Sequence, residues 1–157
     1  MTEKVSVTQE VGASAGHVWA MVSDVTRMGE WSPENEKATW LRGATVPQLG
    51  AKFRGTYRHG KKTWRTVGKI VGCEPSRLFR FRVTAMGLKV AEWCYAFEPT
   101  ATGCRVTETW IDLSGPIVKA LAKPVSGVKH DATYNRAGME QTLERLKSKA
   151  ESTTASS

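Results

Sequence analysis

Residues 51–113 constrain this chain more than any other part of it. They form a succession of strand-like runs rich in Trp, Tyr and Phe, separated by turns that carry Gly or Pro. Connections this short join antiparallel neighbours and leave no room for a helical crossover. An amphipathic helix pattern lies on each side of the meander. Helix, long antiparallel meander and C-terminal helix together imply a curved sheet wrapped around a helix, and such a sheet encloses a cavity.

The alternation within each run assigns the two faces. In 52–59, Phe53, Gly55 and Tyr57 oppose Lys52, Arg54, Thr56 and Arg58. His59-Gly60-Lys61-Lys62 reads as a hairpin turn, with Gly60 free to take positive φ. Residues 63–72 pair back, with Trp64, Thr66, Gly68 and Ile70 on one phase and Thr63, Arg65, Val67 and Lys69 on the other. Residues 78–84 set Phe79, Phe81 and Val83 against Arg80 and Arg82. Residues 89–97 carry Trp93, Tyr95 and Phe97 on one face. Residues 105–113 close the meander with Val106, Glu108 and Trp110 in phase.

Upstream, residues 4–11 read as a first strand on Val5, Val7 and Val11. Ser14 is an N-cap candidate for a helix through about Ser23, and Asp24 for a short helix 26–31 that Pro33 closes. Residues 36–41 read as the second strand, and the 99–103 stretch as a loop. Residues 117–123 are weakly helical, with Pro124 expected to interrupt them. From about Val128, Ala132, Asn135 or Arg136, Met139, Leu143 and Leu146 fall on one stripe of a long helix. The Ser/Thr-rich 151–157 reads as a disordered tail after a single domain 1–150.

The formal net charge of +8 bears on partners. Eleven of the basic residues fall in 52–89, where they alternate with apolar ones instead of forming a tail. That pattern is the solvated face of a half-buried sheet, so nucleic acid is not the expected partner. A peripheral contact with an anionic membrane fits the same charge. No apolar run approaches the roughly 20 residues needed to span a bilayer. Residues 1–10 are polar and strand-like, unlike a signal peptide, and a cytoplasmic location is expected. Cys73, Cys94 and Cys104 have no metal-ligand spacing and read as reduced thiols, although Cys94 and Cys104 fall where a strand pair would bring them close. No metal or cofactor is expected: hydrolase, zincin, P-loop and dinucleotide-binding motifs are all missing.

Several local patterns carry a family resemblance. Ala15-Gly16-His17-Val18-Trp19 with Val22-Ser23-Asp24 is similar to the first helix of the START/Bet v 1-like superfamily, also called SRPBCC. Trp31-Ser32-Pro33 resembles its close of the second helix, and Gly50-Ala51-Lys52-Phe53 its third-strand start. Trp93-x-Tyr95-x-Phe97-Glu98-Pro99 followed by Gly103-x-x-Val106-Thr107-Glu108 resembles the late strand pair. Asn135-Arg136-x-Gly138-Met139-x-x-Thr142-Leu143 resembles the last helix. The chain looks like the polyketide cyclase/dehydrase-type small proteins common in bacteria, actinobacteria especially. The resemblance implies an α+β helix-grip fold, in which a seven-stranded antiparallel sheet grips a long C-terminal helix and two short helices follow the first strand. It also implies a cavity for a lipid- or polyketide-like molecule; the chain is expected to be a monomer or weak dimer. The superfamily has no universal catalytic motif, so the fold assigns no reaction.

The inward phase supplies the candidate ligand contacts. Phe53, Tyr57, Trp64, Phe81, Trp93, Tyr95 and Trp110 suit the wall of an apolar site, unless they simply fill a solid core. Asn135 and Met139 would face them from the last helix. Tyr57, Tyr95, Glu108 and Asn135 would orient a ligand's polar groups. Glu108 is the catalytic candidate, because a carboxyl among aromatics has a raised pKa and can act as acid or base. The competing readings are an ion pair with an inward Arg, or a twist that exposes it. Arg65 is expected outward if Trp64 is inward. His17, His59 and His130 form no triad by spacing. Residues 115–127 read either as a lid or as an ordinary packed connection. Three functions remain open: binding of a hydrophobic small molecule, a polyketide cyclase/dehydrase-type reaction, or an interaction module whose basic outer face docks on an acidic protein, RNA or membrane.

Overall fold

The computed structural model describes residues 3–155. Strand β1 (Lys4–Val11) leads into helix α1 (Ala15–Ser23) and a 3-10 helix (Val25–Glu30). Strands β2 (Asn35–Trp40), β3 (Lys52–His59), β4 (Lys62–Glu74), β5 (Leu78–Ala85), β6 (Leu88–Thr100) and β7 (Gly103–Asp112) follow. Helices α2 (Pro116–Ser126) and α3 (Ala132–Ala155) end the chain. The strands form one antiparallel sheet in the order β1-β7-β6-β5-β4-β3-β2. Consecutive strands β2 to β7 are neighbours, as short hairpins require. Only the helical segment after β1 crosses the width of the sheet. This is the expected helix-grip architecture.

Local chemistry sets the element ends. Ser14 Oγ accepts from the His17 amide at 3.1 Å, and Asp24 Oδ1 accepts from that of Thr26 at 3.2 Å. The β5–β6 hairpin turns through Met86 and Gly87, both at positive φ (53° and 79°), which matches the right-handed twist of the strands. It leaves Met86 94% exposed at the tip.

Four expectations about element ends need correction. Strand β6 runs through Pro99, which pairs with Cys104 but lies beyond the start of β5, so its missing N–H costs no ladder bond on that side. Helix α2 continues past Pro124 to Ser126, and Gly127, at φ 85°, follows the last helical residue. Helix α3 begins at Ala132, not near Val128: Asp131 caps it by accepting from the Tyr134 amide at 3.0 Å. It also runs on through 151–155, where a disordered tail was expected. Glu151 supports that last turn, accepting from Lys147 one turn back at 2.5 Å and from the Gly12 amide at 2.8 Å. Residues 156 and 157 lie outside the described residues.

The two faces of the sheet separate by charge. Lys52, Lys69, Arg82 and Glu92 stand side by side across β3 to β6 on the outer face. Glu92 takes Arg82 at 2.9 Å and Arg80 at 3.7 Å. The inner face buries Phe53, Ile70, Phe79, Phe81, Tyr95, Phe97 and Val106 against α1 and the C-terminal half of α3. Helix α1 contributes Val18, Met21 and Val22, and α3 contributes Leu143, Leu146 and Ala150. Each large apolar side chain among them, fully buried, contributes about 1.5–3 kcal/mol. The cysteines are free thiols, and Cys94 faces Thr109 across the strands, not Cys104. No helix among the described residues is long and apolar enough to cross a membrane.

Candidate functional site

The two halves of α3 do different things. Leu143, Leu146 and Ala150 pack into the core, but one turn earlier the inward positions are Asn135, Gly138, Met139 and Thr142. A Cβ added at Gly138 would meet nothing within 4 Å. Small and polar residues on this half leave the sheet uncovered, and a cavity of about 1060 Å³ lies between β4–β7 and helices α2 and α3. That volume reaches the upper end of the roughly 300–1,000 Å³ typical of small-molecule sites.

Nine of the ten candidate residues line this cavity. Tyr57, Trp64, Phe81 and Trp93 come from successive strands, Tyr95, Glu108 and Trp110 from the last two, and Asn135 and Met139 from α3. Phe53 does not. Its register partner on β4 is Gly68, and a Cβ at Gly68 would collide with the Phe53 ring. The ring therefore lies flat over that glycine, edge-on to Phe81 at 5.2 Å, and belongs to the core. Tyr57 stacks on Trp64 at 5.8 Å, and its hydroxyl contacts Met28 Sδ at 3.9 Å. Arg65 is exposed, as the inward phase of Trp64 requires.

Glu108 is 2% exposed. The Tyr95 hydroxyl donates to its Oε2 at 2.8 Å, while its Oε1 is buried with no partner among the described residues. Burial pushes the carboxyl up to about 8, and the Tyr95 hydrogen bond offsets only part of that. Neither competing reading of Glu108 holds: it is inward, and no arginine among the described residues pairs with it. Tyr95 is itself pushed well up by burial and by the neighbouring carboxyl.

A second polar group at the cavity wall was not anticipated. Glu34, in the turn before β2, accepts from the Tyr134 hydroxyl at 2.6 Å and lies 3.1 Å from His130 Nε2. His59 Nδ1 stands 3.2 Å from the same carboxylate. Burial raises the Glu34 carboxyl, but the hydrogen bonds of His130 and Tyr134 and the imidazole charges outweigh it and hold it below the usual range. Tyr134 is pushed upward by burial and by Glu34. The two histidines thus do converge, through a glutamate 25 and 96 positions away, and no local spacing signals it. Among the described residues no cluster is suited to hold a metal ion.

The stretch 115–127 forms α2 over the cavity. Val118, Ala122 and Ser126 turn toward the interior, while Ile117, Leu121 and Val125 are 64%, 47% and 46% exposed although they too line the cavity. With Met86 they mark its mouth. Lys62 Nζ ties α2 to β4 by donating to the Pro124 carbonyl at 2.5 Å.

A sheet gripping a helix around an apolar cavity defines a helix-grip protein of the START/Bet v 1-like class. The chain belongs to the polyketide cyclase/dehydrase and lipid transport family, whose profile matches residues 2–151. Membership places it among proteins that handle hydrophobic small molecules. No curated protein matches it at the sequence level. Among solved structures it is similar to the polyketide-cyclase-like protein Cgl2372 from Corynebacterium glutamicum, at 28% identity and TM-score 0.54, over 99% of this chain and 89% of that one. It is similar in fold to the protein TTHA0849 from Thermus thermophilus, at 18% identity and TM-score 0.71, over 96% and 99%. The di-domain aromatase/cyclase StfQ from the steffimycin biosynthetic pathway superposes at TM-score 0.76 and 14% identity; 99% of this chain covers 52% of StfQ, so the chain spans about half of it.

Proposed function

We propose that this protein binds a lipid- or polyketide-like molecule in the cavity between its sheet and α3. The observation that carries this reading is the cavity itself, about 1060 Å³, walled by aromatic side chains where a solid core would have closed it. Apolar burial at about 25 cal/mol per Å² supplies the affinity. Tyr57, Tyr95, Glu108 and Asn135 are the groups that orient the ligand. Native mass spectrometry of recombinant protein tests it: a co-purified apolar adduct, or stoichiometric uptake of an apolar dye, is expected. A protein that takes up neither overturns the reading.

One observation favours a second reading, a cyclase/dehydrase-type reaction. Glu108 beside Tyr95 is a carboxyl whose pKa of about 8 suits acid–base work near neutral pH. Under it, Glu108→Gln abolishes turnover of a polyketide-like substrate and leaves binding intact; unchanged turnover removes Glu108 from the chemistry.

The mouth suggests how an apolar ligand is collected. Met86, Ile117 and Leu121 present apolar surface there, with the exposed Lys119 and Lys129 among the same lining residues. Apolar tips flanked by cations suit a peripheral contact with an anionic membrane.

A further inference from the structure

Glu108 Oε1 separates one class of ligand from the rest. Of the buried side-chain atoms without a partner among the described residues, it is the one that lines the cavity. Three side-chain donors around it are already engaged. Tyr95 donates to Glu108 Oε2 at 2.8 Å, Thr142 donates to the Gly138 carbonyl at 2.8 Å, and Asn135 Nδ2 donates to the His130 carbonyl at 3.3 Å. An unsatisfied polar atom in an apolar wall costs free energy until something meets it.

The Tyr95 bond also decides what Oε1 offers. A carboxyl in its neutral form carries its proton on one oxygen, and the oxygen that already accepts from Tyr95 is the carbonyl-like one. Oε1 is then a hydroxyl donor on a cavity-lining side chain, with no acceptor among the described residues.

Charge sets the other limit. Across the register Glu108 faces Tyr95 on β6 and Val7 on β1, and α3 presents Asn135, Met139 and Thr142 across the cavity. Helix α2 turns Val118, Ala122 and Ser126 inward. Tyr95 is the titratable group that acts on Glu108; Tyr57 acts on Tyr95, and Glu34, His130 and Tyr134 satisfy one another at the wall. The cations that line the cavity, Arg65, Lys119 and Lys129, are exposed. An anionic head group beside Glu108 would be stripped of water with no cation to meet it.

We propose that the cavity selects a neutral, mostly apolar molecule carrying one oxygen, as in a ketone, ester or ether, that accepts a hydrogen bond from Glu108 Oε1. This rests on the cavity being a ligand site and adds the chemistry of what it takes.

The experiment is displacement of a bound apolar dye by four probes of equal length: dihexyl ketone, tridecane, tridecanoate and tridecylamine. On the wild-type protein the ketone binds about tenfold tighter than tridecane. Its affinity is flat in acid and falls as pH rises past about 8, where Glu108 loses its proton. Glu108→Gln keeps a donor, so it retains the ketone preference and loses the pH dependence. Glu108→Leu binds ketone and tridecane alike. Melting curves confirm that each variant is folded, and the pH series on the unaltered protein stands whatever they show. Ketone and tridecane binding equally to the wild type overturns the proposal while leaving the cavity reading intact. So does tighter binding of tridecylamine, or of tridecanoate. If neither the dye nor any probe binds, the cavity reading falls and takes this one with it.

Discussion

At the scale of single residues, Glu108 couples the cavity to pH. Its carboxyl titrates at about 8 in the folded chain against an ordinary 4.5. Between those values the unfolded chain has released this proton and the folded chain has kept it. Stability from this site is therefore full below pH 4.5 and is lost as pH rises toward 8. We expect Glu108→Gln to remove that slope: relative to wild type, its melting temperature should gain steadily between pH 5 and 8 and level off above. Parallel curves across the range would mean that Glu108 ionises normally. Inward phase alone identified Glu108, because a period of two fixes which side of a sheet a residue faces. The same rule placed Phe53 inward among the candidate ligand contacts, yet the structure seats it in the core and not at the cavity. Whether an inward ring reaches a cavity depends on what lies opposite, here Gly68, and that pairing exists only once β3 and β4 are in register. Gly68→Ala should push the Phe53 ring off its seat and cost about 1–3 kcal/mol in denaturant unfolding. A neutral result would show that the ring does not depend on that glycine.

At the scale of elements, strands and the first helix were legible because their signals are local: alternation, a serine cap, glycine at the tight turns. The ends of α2 and α3 were not. Pro124 reads as a break, but its effect depends on distance from a helix end that the pattern does not mark. The 151–155 extension depends on Glu151 reaching the Gly12 amide, a contact across 139 positions. The Glu34 cluster is invisible for the same reason. It joins the turn before β2, the end of β3, the α2–α3 connection and the first turn of α3. We expect Glu34→Gln to weaken this junction by about 1–3 kcal/mol, through lost charge-assisted bonds from the imidazoles and the Tyr134 hydroxyl. Hydrogen exchange should quicken in 127–135 and stay unchanged in β6 and β7. Because the Glu34 carboxyl is held low in the folded chain, its contribution is present above the ordinary carboxylate range and is lost as pH falls through the lowered folded value. Exchange at 127–135 that is insensitive to the substitution would show that the cluster is decorative.

At the scale of the whole molecule, the +8 charge has two places to act. The outer sheet face sets Lys52, Lys69 and Arg82 abreast, with Glu92 beside the row. The cavity mouth combines exposed apolar side chains with Lys119 and Lys129. Both attract anionic surfaces through long-range charge, but only the mouth offers apolar side chains to bury once contact is made. A docked mouth would also give an apolar ligand a path that avoids water. Sedimentation with vesicles of pure phosphatidylcholine, and of phosphatidylcholine with phosphatidylglycerol, distinguishes the two places. We expect binding to the mixed vesicles that weakens with salt and falls severalfold in Met86→Asp/Leu121→Asp, with Lys52→Glu/Lys69→Glu having the smaller effect. A loss confined to the second variant would move the contact to the sheet, where a bound membrane has no access to the cavity. No binding to either vesicle would leave the ligand to enter from solution, and the apolar rim at Met86, Ile117 and Leu121 would then serve only as the threshold of the cavity.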